Sequence, residues 1–220
     1  MYFLLAAFLF AVLEAFALWK KIRGLEFIAK PAVMIMLFIY LLTSIGLTGA
    51  PLWFGLGILF SLAGDVLLML SLDRMFVFGL LAFLLAHISY LIGFQNELME
   101  ISPWSVLLIV MLSISAVRVM RRIVSAIRAK GQARMVNPVI LYSTVITVVL
   151  YAAMTTISNP EWSTSASFLV SVGAFLFYIS DLVLAWNKFV SPIKNGRIIN
   201  IGLYHLGQIG LIAGGISQFG

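Results

Sequence analysis

Two aspartates lie inside long apolar runs, Asp65 in GILFSLAGDVLLML and Asp181 in GAFLFYISDLVLAW. At the centre of a bilayer an aspartate costs roughly 2.5–3.5 kcal/mol on insertion scales, so such residues turn toward a bundle interior or a wet cavity and mark functional sites. Burial disfavours the charged form of a carboxyl, and two carboxyls held close together can share one proton near neutral pH. That arrangement is a general acid beside a general base, the pairing that acetal and enol-ether cleavage requires. One intramembrane aspartate bridges helices as readily as it does chemistry. Two in matching settings favour chemistry, and Asp65 and Asp181 are the predicted catalytic pair.

Other polar side chains in apolar surroundings are candidates for holding substrate or water. His87 and Tyr90 are three residues apart, and Tyr204 and Gln208 four apart, so each pair shares one face of a helix. His205 is turned about 100° away from Tyr204 and falls off that face. Lys30 begins an apolar run at Lys30-Pro31. The chain has two histidines and no cysteine, which excludes a three-histidine zinc site, disulfides and thiol nucleophiles. There is no HExxH, GxSxG, P-loop or dinucleotide fingerprint, so neither a metal nor a cofactor is expected. LAGD around Asp65 lacks the first glycine of the GxGD motif of intramembrane aspartyl proteases.

The elements that must position these residues are membrane helices. Of 220 residues, 63% are hydrophobic and 10% charged, against roughly 25% charged in soluble domains; mean hydropathy is +1.12. About 20 apolar residues span a bilayer, which predicts eight spans near 2–19, 31–48, 52–72, 75–94, 103–120, 136–157, 164–186 and 197–217. The first span carries Glu14, lacks a basic leader and is followed by KKIR, so it reads as a retained helix rather than a signal peptide. The net charge of +6 is not a nucleic-acid footprint, because all 14 Lys and Arg residues border odd-numbered loops. Glu97 and Glu100 fall in the fourth loop and Glu161 in the sixth. The positive-inside rule then makes the odd loops cytoplasmic and leaves both termini outside. Trp53, Trp104, Trp162 and Trp186 fall near span ends, as interfacial belts do.

Aligning Asp65 with Asp181 also matches Gly57 with Gly173, and Val66-Leu67-Leu68 with Leu182-Val183-Leu184. The preceding helices open on Lys30-Pro31 and Asn137-Pro138; the following ones carry His87 with Tyr90, and Tyr204 with Gln208. The chain therefore reads as one all-α membrane domain, residues 1–220, built from two parallel four-helix repeats, 1–100 and 118–220. Asp65, Asp181, Glu14 and Lys30 would then converge near the cytoplasmic side. Paired intramembrane acids in parallel repeats would equally suit a proton-coupled transporter, although neither half has a clearly broken helix.

Lys30-Pro31, Gly64-Asp65-Val66-Leu67-Leu68, and Gly79 with Phe83 through Tyr90 resemble the first half of YhhN-family membrane proteins. Phe177-Tyr178-Ile179-Ser180-Asp181, Leu184-Ala185, and Tyr204 with Gln208 resemble the second half. The likeness covers nearly the whole chain, with Glu14 outside it. Characterised members of that family are lysoplasmalogenases, which hydrolyse the sn-1 vinyl-ether bond to a fatty aldehyde and glycerophosphoethanolamine or glycerophosphocholine. The resemblance implies a lysophospholipid substrate within membrane lipid, no nucleic-acid partner, and residence in a bacterial inner membrane. It also implies a substrate chain lying between helices and a phosphate meeting Lys30.

Overall fold

The computed structural model describes residues 1–71, 74–94 and 102–220. Glu97 and Glu100, predicted to mark the fourth loop, lie outside them. Among the described residues there are eight helices long and apolar enough to cross a membrane, and no strand. They are α1 (Tyr2–Lys20), α2 (Arg23–Ile45), α3 (Ala50–Leu70), α4 (Phe76–Gly93), α5 (Pro103–Ala129), α6 (Val136–Thr155), α7 (Thr164–Ala185) and α8 (Gly196–Phe219). Helices are what such apolar runs must form, because lipid offers no partner to an unpaired N–H or C=O.

Two boundaries differ from the sequence expectation. α2 starts at Arg23, so Lys30 and Pro31 lie inside the helix rather than at its start. Proline at that position has no N–H to give the carbonyl of Phe27, four residues back. The helix tolerates the loss and carries a buried lysine beside it. α5 runs on past residue 120 through its basic stretch to Ala129. Charged residues there continue an apolar helix beyond bilayer depth instead of ending it.

The largest helix–helix interfaces join α7 to α8 and α3 to α4. In the first, small residues let the backbones touch. A Cβ added to Gly173 would stand 2.6 Å from the backbone nitrogen of Leu211 and 2.8 Å from the carbonyl of Gly207. In the second, Gly57 leaves the space that the Tyr90 ring fills, 2.3 Å from where a Cβ would be. α4 also packs on α6, and α8 on α1, α2 and α3, so the bundle closes around a main apolar core, with a smaller second cluster formed by Phe76, Ile123, Ile127, Val136, Val139 and Phe189. Trp162 belongs to the main core: it meets Phe94 and Phe219 edge-on and is only 8% exposed, not a belt residue facing lipid. α7 ends in a π turn, Trp186–Val190, which seats Phe189 against Phe76.

Candidate active site

Both aspartates line one cavity of about 750 Å³, entered past the ends of α1, α2, α7 and α8. Its rim carries Lys21, Arg23, Glu26 and Arg197. Arg197 and Glu26 form an exposed ion pair at 2.6 Å. Deeper in, the wall is made by Lys30, Asp65, Asp181 and Tyr204. Intramembrane polar groups gathered around a cavity are the arrangement in which their desolvation is tolerable.

Each aspartate has its own set of partners. Lys30 Nζ, from α2, is 3.1 Å from Asp65 Oδ1, and the Tyr204 hydroxyl of α8 donates to Asp65 Oδ2 at 2.7 Å. The Tyr204 ring is fixed edge-on between Phe83 and Phe177. On the other side, the Tyr142 hydroxyl of α6 donates to Asp181 Oδ2 at 2.5 Å. His87 Nε2, from α4, is 3.0 Å from that hydroxyl and 3.4 Å from the same carboxyl oxygen. Asp65 is almost wholly buried, whereas the Asp181 side chain keeps 13% of its surface open.

The partnering is crossed. The acid on α3 is met from α8, and the acid on α7 is met from α4. Behind the cavity, Tyr90 donates to Gln208 Oε1 at 2.6 Å and Gln208 Nε2 donates to Ser61 at 2.8 Å, linking α4, α8 and α3. Neither Tyr90 nor Gln208 is on the cavity wall. His87 touches Asp181 from behind, and its own Nδ1 is buried without a hydrogen-bond partner among the described residues. Of the five residues predicted to bind substrate, Lys30 and Tyr204 face the cavity and both are committed to Asp65.

Tyr142 escaped the sequence reading, as did Ser61. A signal existed for Tyr142: it lies early in its helix while Asp181 lies late in the next one, which runs back beside it. His205 and Glu14 form a separate buried pair, Nε2 to Oε2 at 2.5 Å, that joins α8 to α1. Neither lines the cavity. Among the described residues no three His, Asp or Glu side chains converge as a metal site would require.

The sequence is matched by the family model for the YhhN family over residues 25–215. The chain belongs to the YhhN family. The matched stretch takes in α3, α4, α6, α7 and most of α2 and α8, so all four residues holding the two aspartates fall within it. The chain is similar to mouse (Mus musculus) lysoplasmalogenase TMEM86B, with 27% identity over 98% of this chain and 88% of the relative. It is also similar to a lysoplasmalogenase homolog of Dictyostelium discoideum, with 26% identity over 78% of this chain and 62% of that relative. No solved structure matches the YhhN chain significantly.

Proposed function

We propose that this YhhN protein is a membrane hydrolase that cleaves the sn-1 vinyl ether of lysoplasmalogens, with Asp181 and Asp65 as its acid and base. The observation that carries the reading is the single cavity lined by both carboxyls, in a chain similar to lysoplasmalogenases. A vinyl ether resists nucleophiles and reacts by protonation at carbon, so the site needs a carboxylic acid aimed at a dry carbon and a second group that manages water.

The hydrogen-bond donors support this division of roles. Asp65 receives an ammonium and a phenol, which makes it the acceptor. Asp181 has one phenol, shared with His87, and some open surface. Asp181 gives its proton to the β-carbon of the alkenyl chain, and the oxygen lone pair forms an oxocarbenium ion. Water adds to the adjacent carbon while Asp65 takes the water's proton. The hemiacetal then breaks its bond to the glycerol oxygen. Asp65 returns its proton to that oxygen, the hemiacetal hydroxyl proton passes to Asp181, and both acids are restored. Water is consumed; fatty aldehyde and glycerophospho-alcohol leave. Tyr142 and His87, behind Asp181, hold its carboxyl in place for the proton transfer.

The basic rim suits a phosphate-bearing headgroup, and because Lys30 is already paired with Asp65, the phosphate contact moves out to Lys21 and Arg23. With odd loops cytoplasmic, the mouth opens to the cytoplasmic face of the inner membrane. The crossed partnering of the acids fits two intertwined four-helix repeats, each lending a helix to the other's acid. The test is purified protein in detergent with lysoplasmenylethanolamine, assayed for fatty aldehyde. Turnover is expected, and Asp65→Asn and Asp181→Asn should each abolish it. Full activity in either variant rejects the pair; no turnover in the wild type, with proton-linked uptake in liposomes, establishes transport instead.

A further inference from the structure

Beside Asp181 a second, narrower cavity enters the bundle between α4, α5, α6 and α7. Apart from Asp181, Tyr142, Ser143 and Tyr178, its walls are aliphatic and phenylalanine side chains, among them Leu80, Met120 and Ile146. Leu68, Phe83, Asp181 and Leu184 line both cavities, so the two meet at the carboxyl. Its volume is about 50 Å³, against roughly 10–15 Å³ for one water-sized position. It is a thin slot, and apolar slots of this kind stay dry. We propose that this slot takes the first methylenes of the substrate's hydrocarbon chain and so fixes which carbon faces Asp181.

The proposal rests on the lysophospholipid reading above and adds where the chain lies. A protonating acid must meet one carbon of an otherwise featureless chain, and the cavity whose walls are almost wholly apolar where it leaves Asp181 is the narrower one. The slot's small volume suits a single unbranched chain rather than a ring or a second acyl chain. Its outer wall is α5, only 11% buried over its membrane stretch, so the remainder of a long chain runs out into lipid past that helix. The headgroup stays at the charged rim, the ether oxygen lies between the two acids, and the chain leaves sideways. That path explains why a wide cavity carrying charged groups and a narrow apolar one share one aspartate.

Two measurements on the intact protein in detergent test it. A 1-O-alkyl lysophosphatidylethanolamine, whose saturated ether cannot be cleaved, carries a diazirine a few carbons from the oxygen. After illumination, peptides containing Leu80, Met120 or Ile146 should carry the label, and a cleavable or uncleavable excess lysolipid should compete it away. Label confined to the outer faces of α1 and α2, or indifferent to competitor, overturns the proposal. This readout needs no hydrolysis, so it fails or succeeds separately from the proposed reaction. In the second, Met120→Trp and Ile146→Trp each narrow the slot. The kcat/KM for lysoplasmenyl substrate should fall about tenfold in each variant, as expected for losing the burial of two methylenes. An unchanged kcat/KM overturns the proposal. Met120 is half-buried and accommodates the larger ring even where Ile146→Trp fails to fold.

Discussion

The hydroxyl of Tyr204 on α8 lies 2.7 Å from the carboxyl of Asp65 on α3, joining positions 139 residues apart. The ring is clamped by Phe83 and Phe177, so the hydroxyl's position is set by packing and not by the hydrogen bond alone. Tyr204→Phe therefore keeps the fold and removes one donor to the acid. Aldehyde release should drop roughly 10- to 100-fold, the range for one hydrogen bond to a charged group. Thermal unfolding in detergent should change little, and a large drop in unfolding temperature would make Tyr204 a structural residue first.

Lys30 opposes Asp65 at 3.1 Å with both side chains largely out of water. Removing one member of such a pair strands the other, at a cost of about 3 kcal/mol or more. Lys30→Met should lower the unfolding midpoint strongly, and adding Asp65→Asn should recover part of the loss. A double variant no more stable than Lys30→Met would mean the ion pair is not what holds α2 to α3.

Tyr142 donates to Asp181, and His87 reaches both the Tyr142 hydroxyl and the Asp181 carboxyl. If the three act as one unit, Tyr142→Phe and His87→Gln should each reduce turnover, by roughly 100-fold, and the double variant should be little worse than either alone. Losses that multiply would show that the two residues act on Asp181 independently.

Gly173 and Gly202 make a matched pair for stability. A methyl on Gly173 meets the backbone of α8 at 2.6 Å, whereas one on Gly202 finds nothing within 4 Å. Gly173→Ala should destabilise by about 1–3 kcal/mol through overpacking. Gly202→Ala should be neutral or stabilising by about 0.5–1 kcal/mol, since alanine is the better helix residue. Both are read from unfolding in detergent.

Much of this molecule is written along its chain. The length and spacing of the apolar runs determine eight helices, because a run of about 20 apolar residues in lipid pairs its polar groups within itself only as a helix. Asp65 and Asp181 announce themselves by their cost in such runs, and their shared sequence setting by simple alignment. Helical spacing also put Tyr204 and Gln208, and His87 and Tyr90, on common faces. It could not say what those faces meet. Tertiary packing sends His87 to Asp181 and Tyr90 to Gln208, and pairs Lys30 with Asp65. It also brings in Tyr142, an ordinary aromatic in an apolar run until α6 lies against α7. Pro31 shows the same limit locally: proline reads as a helix start, but the helix extends back to Arg23. A residue's cost in lipid is a property of its own segment and can be read there. Its partners are set by which helices pack together, and here each acid found its partners on other helices of the bundle.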